Sequence, residues 1–329
     1  MKIFVTGATG FIGTELVKEL LAQGHMVNIL YRNPNRIRFK EEKNLVLFQG
    51  DILNKESLEN AMQGCEVVFH LAAYAKVWSK DPAIFHKINV EGTRNVLSKA
   101  LQLEVKKVVI TSTAGVLGPS DMDPVDENKK REKDFFTEYE KTKFIAETEI
   151  KYFYRKGLDI VTLLPTRVFG PGLLSESNSV TILIHKYISG TWHFLPGTGK
   201  KVGNYVFVKD VVKGHVLAMN KNVAGERFIL GGTDIDYSGF FDAVAKAAGK
   251  KQWMVPLPVF FILFTSWVMW LLASMFNITP LLTPGWARKY LHNWRISSQK
   301  AIDKLDYNPT PLDIGLKETV NWLKSKYVG

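Results

Sequence analysis

The sequence has almost no cysteine. Its single thiol, Cys65 among 329 residues, excludes an internal disulfide and fits a reducing compartment. The setting Gly64-Cys65-Glu66, just ahead of an apolar run, marks a packing residue and not a catalytic thiol. Internal repeats and low-complexity tracts are also missing, which excludes a solenoid, and hydrophobic residues at 46% exclude a disordered chain. No secretory pattern precedes the first element: Lys2-Ile3-Phe4-Val5 already reads as a buried strand running into a glycine turn, so a cytoplasmic location is expected. Acidic residues are in deficit, 32 Asp+Glu against 43 Lys+Arg, for a net charge of +11. Such a balance favours anionic partners, whether a phosphorylated cofactor, an acidic substrate or a membrane surface, without choosing among them. No nucleic-acid partner and no metal site are expected.

What is present is an alternation. Short apolar runs rich in branched residues at 3–5, 27–30, 45–48, 67–70, 108–111 and 160–164 read as strands. Segments of helical spacing lie between them, among them 14–23, 55–63 and 89–101. This order implies an α/β fold, a Rossmann-type doubly wound parallel sheet. Beyond Pro165 the order changes. Gly170-Pro171-Gly172 and Pro196-Gly197-Thr198-Gly199 punctuate the chain, and a strand is expected at 204–208, a helix at 210–219 and a return to the sheet at 228–230. The charged run 128–133 reads as a solvated loop.

The glycines of Thr6-Gly7-Ala8-Thr9-Gly10-Phe11-Ile12-Gly13 stand between the first strand and the first helix. In that context Gly7 permits a tight turn, Gly10 lets backbone approach a pyrophosphate, and Gly13 lets helix and strand pack closely. Thr9, Phe11 and Ile12 belong to the same cofactor-binding turn. At the end of the second strand a carboxylate would grip an unphosphorylated ribose, and none is there. Tyr31 takes its place, followed by Arg32, Arg36 and Arg38, which either hold a 2′-phosphate or decorate a surface loop. Asp51, with Ile52 beside it, either accepts from the adenine amino group or is a plain turn residue. A dinucleotide-binding domain of 1–168 and 204–232 is expected, with a smaller substrate-binding lobe of 169–203 and 233–329.

Tyr139 and Lys143 lie four residues apart in a helical segment and share a face. Carbonyl reduction needs an acid for the nascent alkoxide, and a tyrosine serves near neutral pH if a neighbouring cation lowers its pKa; Lys143 is expected to be that cation. Thr111-Ser112-Thr113 ends the preceding strand, where a hydroxyl can bond the same substrate oxygen.

Together with His70-Leu71-Ala72-Ala73, Asn89, Gly92-Thr93, Pro165 and Gly170-Pro171, these residues resemble the extended short-chain dehydrogenase/reductase family. The likeness extends to Val208-Lys209-Asp210-Val211 and Asp306-Tyr307-Asn308-Pro309. By that resemblance Thr113 polarises the carbonyl, Tyr139 is the acid/base, and Lys143 tunes Tyr139 and holds the nicotinamide ribose. Asn89 supports the site backbone, Leu71, Ala72, Ala73 and Thr111 line the cofactor, and Pro165 with Val168 flanks the nicotinamide. His70 reads as structural. Nucleotide-sugar members of the family typically carry an arginine for the substrate diphosphate where Gly203 stands here, with Lys200 or Lys201 as stand-ins, and the usual Arg-Pro of the sixth strand is Leu164-Pro165. The expectation is therefore an oxidoreductase preferring NADP(H), with NAD(H) as the other choice. It would act on an apolar ketone, aldehyde or secondary alcohol, like the dihydroflavonol-reductase and 3β-hydroxysteroid dehydrogenase branch. A nucleotide-sugar epimerase or dehydratase and a non-catalytic dinucleotide sensor stay as alternatives, and a homodimer is left open.

The segment 259–278 carries no charge over 20 residues. Three readings stand: a buried helix roofing the substrate pocket, a monotopic helix dipping into a membrane interface, and a transmembrane span. For the second, Trp267, Trp270 and Trp286 offer interface anchors, and Lys250, Lys251, Arg288 and Lys289 offer contacts for anionic headgroups.

Overall fold

The computed structural model describes residues 1–39 and 42–327. Its strands are β1 Lys2–Thr6, β2 Met26–Tyr31, β3 Leu45–Gln49, β4 Val67–His70, β5 Lys107–Thr111, β6 Ile160–Pro165, β7 Arg167–Phe169, β8 Phe194–Pro196, β9 Val202–Phe207, β10 Arg227–Leu230, β11 Thr233–Asp236 and β12 Val255–Leu257. The α-helices are α1 Phe11–Ala22, α2 Lys55–Met62, α3 Ala83–His86, α4 Gly92–Gln102, α5 Glu138–Arg155, α6 Ser179–Ile188, α7 Val208–Asn220, α8 Tyr237–Ala248, α9 Val259–Phe276, α10 Pro284–Tyr290, α11 Gln299–Leu305 and α12 Leu312–Tyr327.

Seven parallel strands form the main sheet in the order β10-β6-β5-β4-β1-β2-β3. β1, β4 and β6 are buried on both faces, which is why they read as unbroken Val/Ile/Leu/Phe runs and not as an alternation. Side chains such as Ile3, Phe4, Val5 and Phe69 are fully buried, each contributing roughly 1.5–3 kcal/mol. One core lies on the α1/α7/α11 side and another on the α2/α4/α5 side. The strand order reverses between β4 and β1, so the loops after these two strands open a crevice at the carboxyl end of the sheet.

The return to the main sheet expected at 228–230 is β10, paired with β6. The strand expected at 204–208 begins earlier, as β9, and joins a separate three-stranded sheet in the order β11-β9-β7. β8 and β12 make a further pair. Around these small sheets, α6, α8 and α12 bury Tyr187, Phe240, Phe241 and Leu316 against Phe11 and Phe169.

The apolar segment forms α9, which ends at Phe276 because Asn277 takes a left-handed conformation, φ +55°. It is not a buried roof. Only Ile262, Ser266 and Ala273 are buried, a narrow stripe, while Phe260 is 73%, Phe264 65%, Trp267 55% and Met275 66% exposed. Apolar residues surround the helix on all sides, and its neighbours cover one edge. Nor does the chain leave the body beyond it: α11 packs on β10, and α12 packs on α8. Two expected membrane contacts face into the protein. Lys289 is paired inside the protein with Glu140 at 2.7 Å, and the indole N–H of Trp286 is buried.

Candidate active site

The glycine turn forces close contact between the loops after β1 and β4. Gly7 has φ +73°, and a Cβ there would sit 2.6 Å from the Ala72 amide nitrogen. A Cβ on Gly13 would meet the Gly7 carbonyl oxygen. The Gly10 amide closes the turn onto the Gly7 oxygen at 2.9 Å, and the Thr14 hydroxyl lies within bonding distance of the Ala8 and Gly10 carbonyls at 3.0 and 2.8 Å. No side chain caps the N-terminus of α1, and its first turn holds no acidic residue, so its amides are available to a pyrophosphate. Phe11 is buried and Thr9 and Ile12 are half-buried around this turn.

A chain of hydrogen bonds locks the turn to the next loop. Thr93 donates to the Asn89 carbonyl at 2.7 Å, so its oxygen accepts from Nε2–H of His70 at 2.9 Å. Nδ1 of His70 then accepts from the Thr6 hydroxyl at 2.7 Å, and the Thr6 oxygen accepts from the Ala72 amide at 3.2 Å. Burial, then the charge of Lys143, pulls the His70 pKa down to about 3. His70 is thus a neutral structural residue that fixes Leu71, Ala72 and Ala73 against Gly7.

Asn89 lies in a π-helical turn, Lys87–Glu91, that joins α3 to α4. Its side chain accepts from the Tyr74 amide at 2.7 Å and donates to the Thr142 hydroxyl at 3.0 Å. One amide therefore ties the loop after β4 to α5, which is capped by Thr137 and carries Tyr139 and Lys143. Nζ of Lys143 donates to the Thr111 carbonyl at 2.7 Å, at the end of β5. The Thr113 oxygen accepts from the Gly115 amide at 3.1 Å, leaving its hydroxyl hydrogen free to donate. Pro165 ends β6 and Val168 lies in β7.

The electrostatics differ from expectation at Tyr139. Burial, then the neighbouring Glu140 carboxylate, pushes its pKa up to about 12, whereas a reduction by Lys143 was expected. Lys143 is itself pulled down to about 8 by burial, with Glu147 opposing. Its ammonium is directed to a backbone carbonyl. Tyr139 is accordingly protonated at neutral pH.

Just beyond β2 and β3, Arg32 reaches Asp51 at 3.6 Å, so these two expected cofactor contacts are brought together. Asp51 also caps the turn at Leu53, and Arg36 is exposed in the short helical turn Pro34–Arg36. Ile52 is buried against Gly92, where a Cβ would meet its side chain at 2.4 Å. Cys65 is buried and its thiol is pushed up to about 11 by that burial, as befits a packing residue.

The inward-facing roles of three residues were not foreseen from the sequence. Glu140, next to Tyr139, is fully buried and pairs with Lys289 at 2.7 Å and Arg131 at 3.4 Å. Arg131 comes from the run read as a solvated loop, yet its side chain is 6% exposed and also bonds the Gly115 carbonyl. Lys289 sits between the rings of Trp286 and Trp294 at 4.8 and 4.9 Å. The spacing Tyr-Glu was visible, but nothing local shows that a glutamate on an amphipathic helix faces inward.

Fold and site together define a dinucleotide-binding oxidoreductase of the Rossmann type. Residues 3–231 match the NAD dependent epimerase/dehydratase family, and the chain belongs to that family. It is similar to a dihydroflavonol 4-reductase-like protein of Synechocystis, 28% identical over 98% of this chain and 94% of that one. Cinnamoyl-CoA reductase 2 of Arabidopsis thaliana is 33% identical over 74% of this chain and 76% of its own. The structure of UDP-glucose 4-epimerase from Thermus thermophilus in complex with NAD superposes with a TM-score of 0.80, at 25% identity, covering 99% of this chain and 100% of that one.

Proposed function

We propose that this protein is an NADP(H)-dependent reductase of a ketone or aldehyde, with Thr113, Tyr139 and Lys143 as its catalytic set. The observation that carries the reading is the seat of Lys143. Tyr139 and Lys143 rise from one face of α5, and the lysine is anchored on the strand end that leads into Thr113. When bound, the nicotinamide supplies hydride for reduction. The chain does the rest: the Thr113 hydroxyl hydrogen bonds the carbonyl oxygen, and Tyr139 gives its phenolic proton to that oxygen as charge develops. Lys143, cationic below about pH 8, stabilises the developing charge and holds the ribose. The raised pKa keeps the phenol protonated at neutral pH, the form that donates to the carbonyl oxygen.

The glycine turn, the uncapped α1 and the loop 71–73 fit a dinucleotide, with Gly7, Gly10 and Gly13 closing on backbone. Arg32 and Arg36 support the phosphorylated cofactor, since Tyr31 replaces a ribose-binding carboxylate. The division into a dinucleotide-binding lobe and a substrate lobe follows from the same reading. Turnover of Tyr139→Phe tests the assignment. A fall of about two to four orders of magnitude with cofactor affinity intact is expected, and wild-type turnover would overturn it. Isomerisation of a nucleotide sugar without net cofactor change would instead support the epimerase reading, which the likeness to the Thermus enzyme keeps in view.

The exposed α9 supports peripheral membrane association. A helix of 18 residues, about 27 Å long, with apolar side chains around most of its circumference, suits the acyl region better than water. Because the chain re-enters the same body after α9, the reading is monotopic. Trp267 and Trp270 are the anchors, with Trp253, which is 65% exposed, as a third beside Lys250 and Lys251. An apolar substrate would then arrive from the lipid.

A further inference from the structure

Arg167 begins β7, one residue beyond the end of β6 at Pro165, at the carboxyl end of the sheet where ligands of parallel sheets bind. No carboxylate pairs with its guanidinium among the described residues. Three rings surround it instead, their centroids 5.5 Å (Tyr205), 5.2 Å (Tyr237) and 5.4 Å (Tyr290) from the guanidinium carbon. Nη1 donates to the Tyr205 hydroxyl at 3.3 Å and the Tyr237 hydroxyl also lies against the guanidinium, while Nη2 is buried without a partner in hydrogen-bond geometry. An arginine kept only for packing would have its donors satisfied, because a buried unpaired polar group is costly.

Position 203 shows where the guanidinium sits. A Cβ on Gly203 would lie 2.5 Å from Nη1 and 2.9 Å from Cζ of Arg167. The guanidinium of Arg167 therefore occupies the space that a side chain at position 203 would take, and Arg167 lies opposite Tyr205 in the register. Lys200, an expected stand-in, is exposed and paired with Asp236 at 3.6 Å.

The neighbourhood has more cations than anions. Lys289 and Tyr290 are consecutive on α10. Tyr290 covers Arg167, while Lys289 reaches Glu140, the residue after Tyr139. Arg131 and Lys289 share that one carboxylate, so among the described residues none is left to pair with Arg167.

We propose that Arg167, seated over Gly203 and ringed by Tyr205, Tyr237 and Tyr290, binds an anionic group of the substrate, a carboxylate or a phosphate. The substrate is then amphipathic, with its carbonyl at Tyr139 and its anionic group at Arg167. The carbonyl half of this statement rests on the reductase reading; the anion half does not.

The test uses protein saturated with NADP(H), so that the glycine turn is already filled. Decanol, decanoate, decyl phosphate and UDP are titrated by calorimetry, with tyrosine difference absorbance as a second signal. At least one anion should bind about 10- to 100-fold more tightly than decanol. Both Arg167→Met and Gly203→Ala should abolish that preference, the second by displacing the guanidinium while keeping its charge. Preference for decanoate identifies a carboxylate, for decyl phosphate a phosphate monoester, and for UDP a nucleotide diphosphate. Anions binding no better than decanol, or a preference that survives in a folded variant, would overturn the proposal. The wild-type titration decides even if a variant does not fold. Because binding is read without turnover, failure to reduce any carbonyl would count against the reductase reading and leave this result standing.

Discussion

Replacing Lys143 with methionine should remove activity without removing stability, and the pH dependence of that stability makes the case quantitative. The ammonium is buried, and its pKa falls from 10.5 to about 8 in the folded protein. At about 1.4 kcal/mol per unit, the folded state carries a penalty of roughly 3 kcal/mol wherever the group is charged in both states, that is below pH 8. Between pH 8 and 10.5 the unfolded chain holds a proton that the folded chain has released, so wild-type stability rises with pH across that window. Above it the penalty is gone. Methionine has no charge and escapes the penalty, but it leaves the Thr111 carbonyl without its donor, a loss of about 1–3 kcal/mol. At pH 7 the variant should therefore equal the wild type or exceed it by up to about 2 kcal/mol. Near pH 10.5 it should be the less stable of the two. Urea unfolding of the cofactor-free proteins at the two pH values measures this, with reductase rates alongside. Wild-type reduction should hold up to about pH 8 and decline above it, Tyr139 staying protonated to about 12. A variant destabilised by more than about 2 kcal/mol at pH 7 would show that Lys143 serves the fold and would refute the reasoning.

Arg32→Ala should weaken NADPH binding by about 1.5–3 kcal/mol and leave NADH nearly unchanged, as loss of charge-assisted bonds to a 2′-phosphate would. Equal affinity of the wild type for the two cofactors would remove that role. The wild-type protein should bind anionic liposomes and stay bound in high salt, because the contact is apolar. Phe264→Glu with Trp267→Glu should release it, since both residues are exposed on α9 and their loss disturbs no core. No binding by the wild type would end the membrane reading.

The central strands of the main sheet were legible because β1, β4 and β6 are buried on both faces, so apolar composition alone betrays them. The edge strand β3 was legible from its branched apolar run although Val46 and Leu47 are exposed. The glycine turn was legible for a related reason: Gly7 and Gly13 have backbone where a Cβ would be, a demand that one residue type meets. The pair Tyr139 and Lys143 could be placed on one face from spacing. β7, β8, β11 and β12 were not foreseen, being strands of 3 or 4 residues whose pairing partners lie far away in sequence. α1 was expected to start at 14 but begins at Phe11, because the glycines that weaken helical propensity are the ones the helix N-terminus requires.

The sequence by itself determined the doubly wound sheet, the cradle and the spacing of the proposed catalytic residues, since these depend on local periodicity and on what a single position will tolerate. Tertiary structure decided how each charge is spent. It buried Arg131 and Lys289 on Glu140, set Arg167 over Gly203 with no carboxylate paired to it among the described residues, raised Tyr139 where a lowering was expected, and left α9 uncovered. Spacing along a chain reports which residues share a face, but ionisation and exposure depend on what packs opposite that face, and for these residues the neighbour comes from a distant part of the chain.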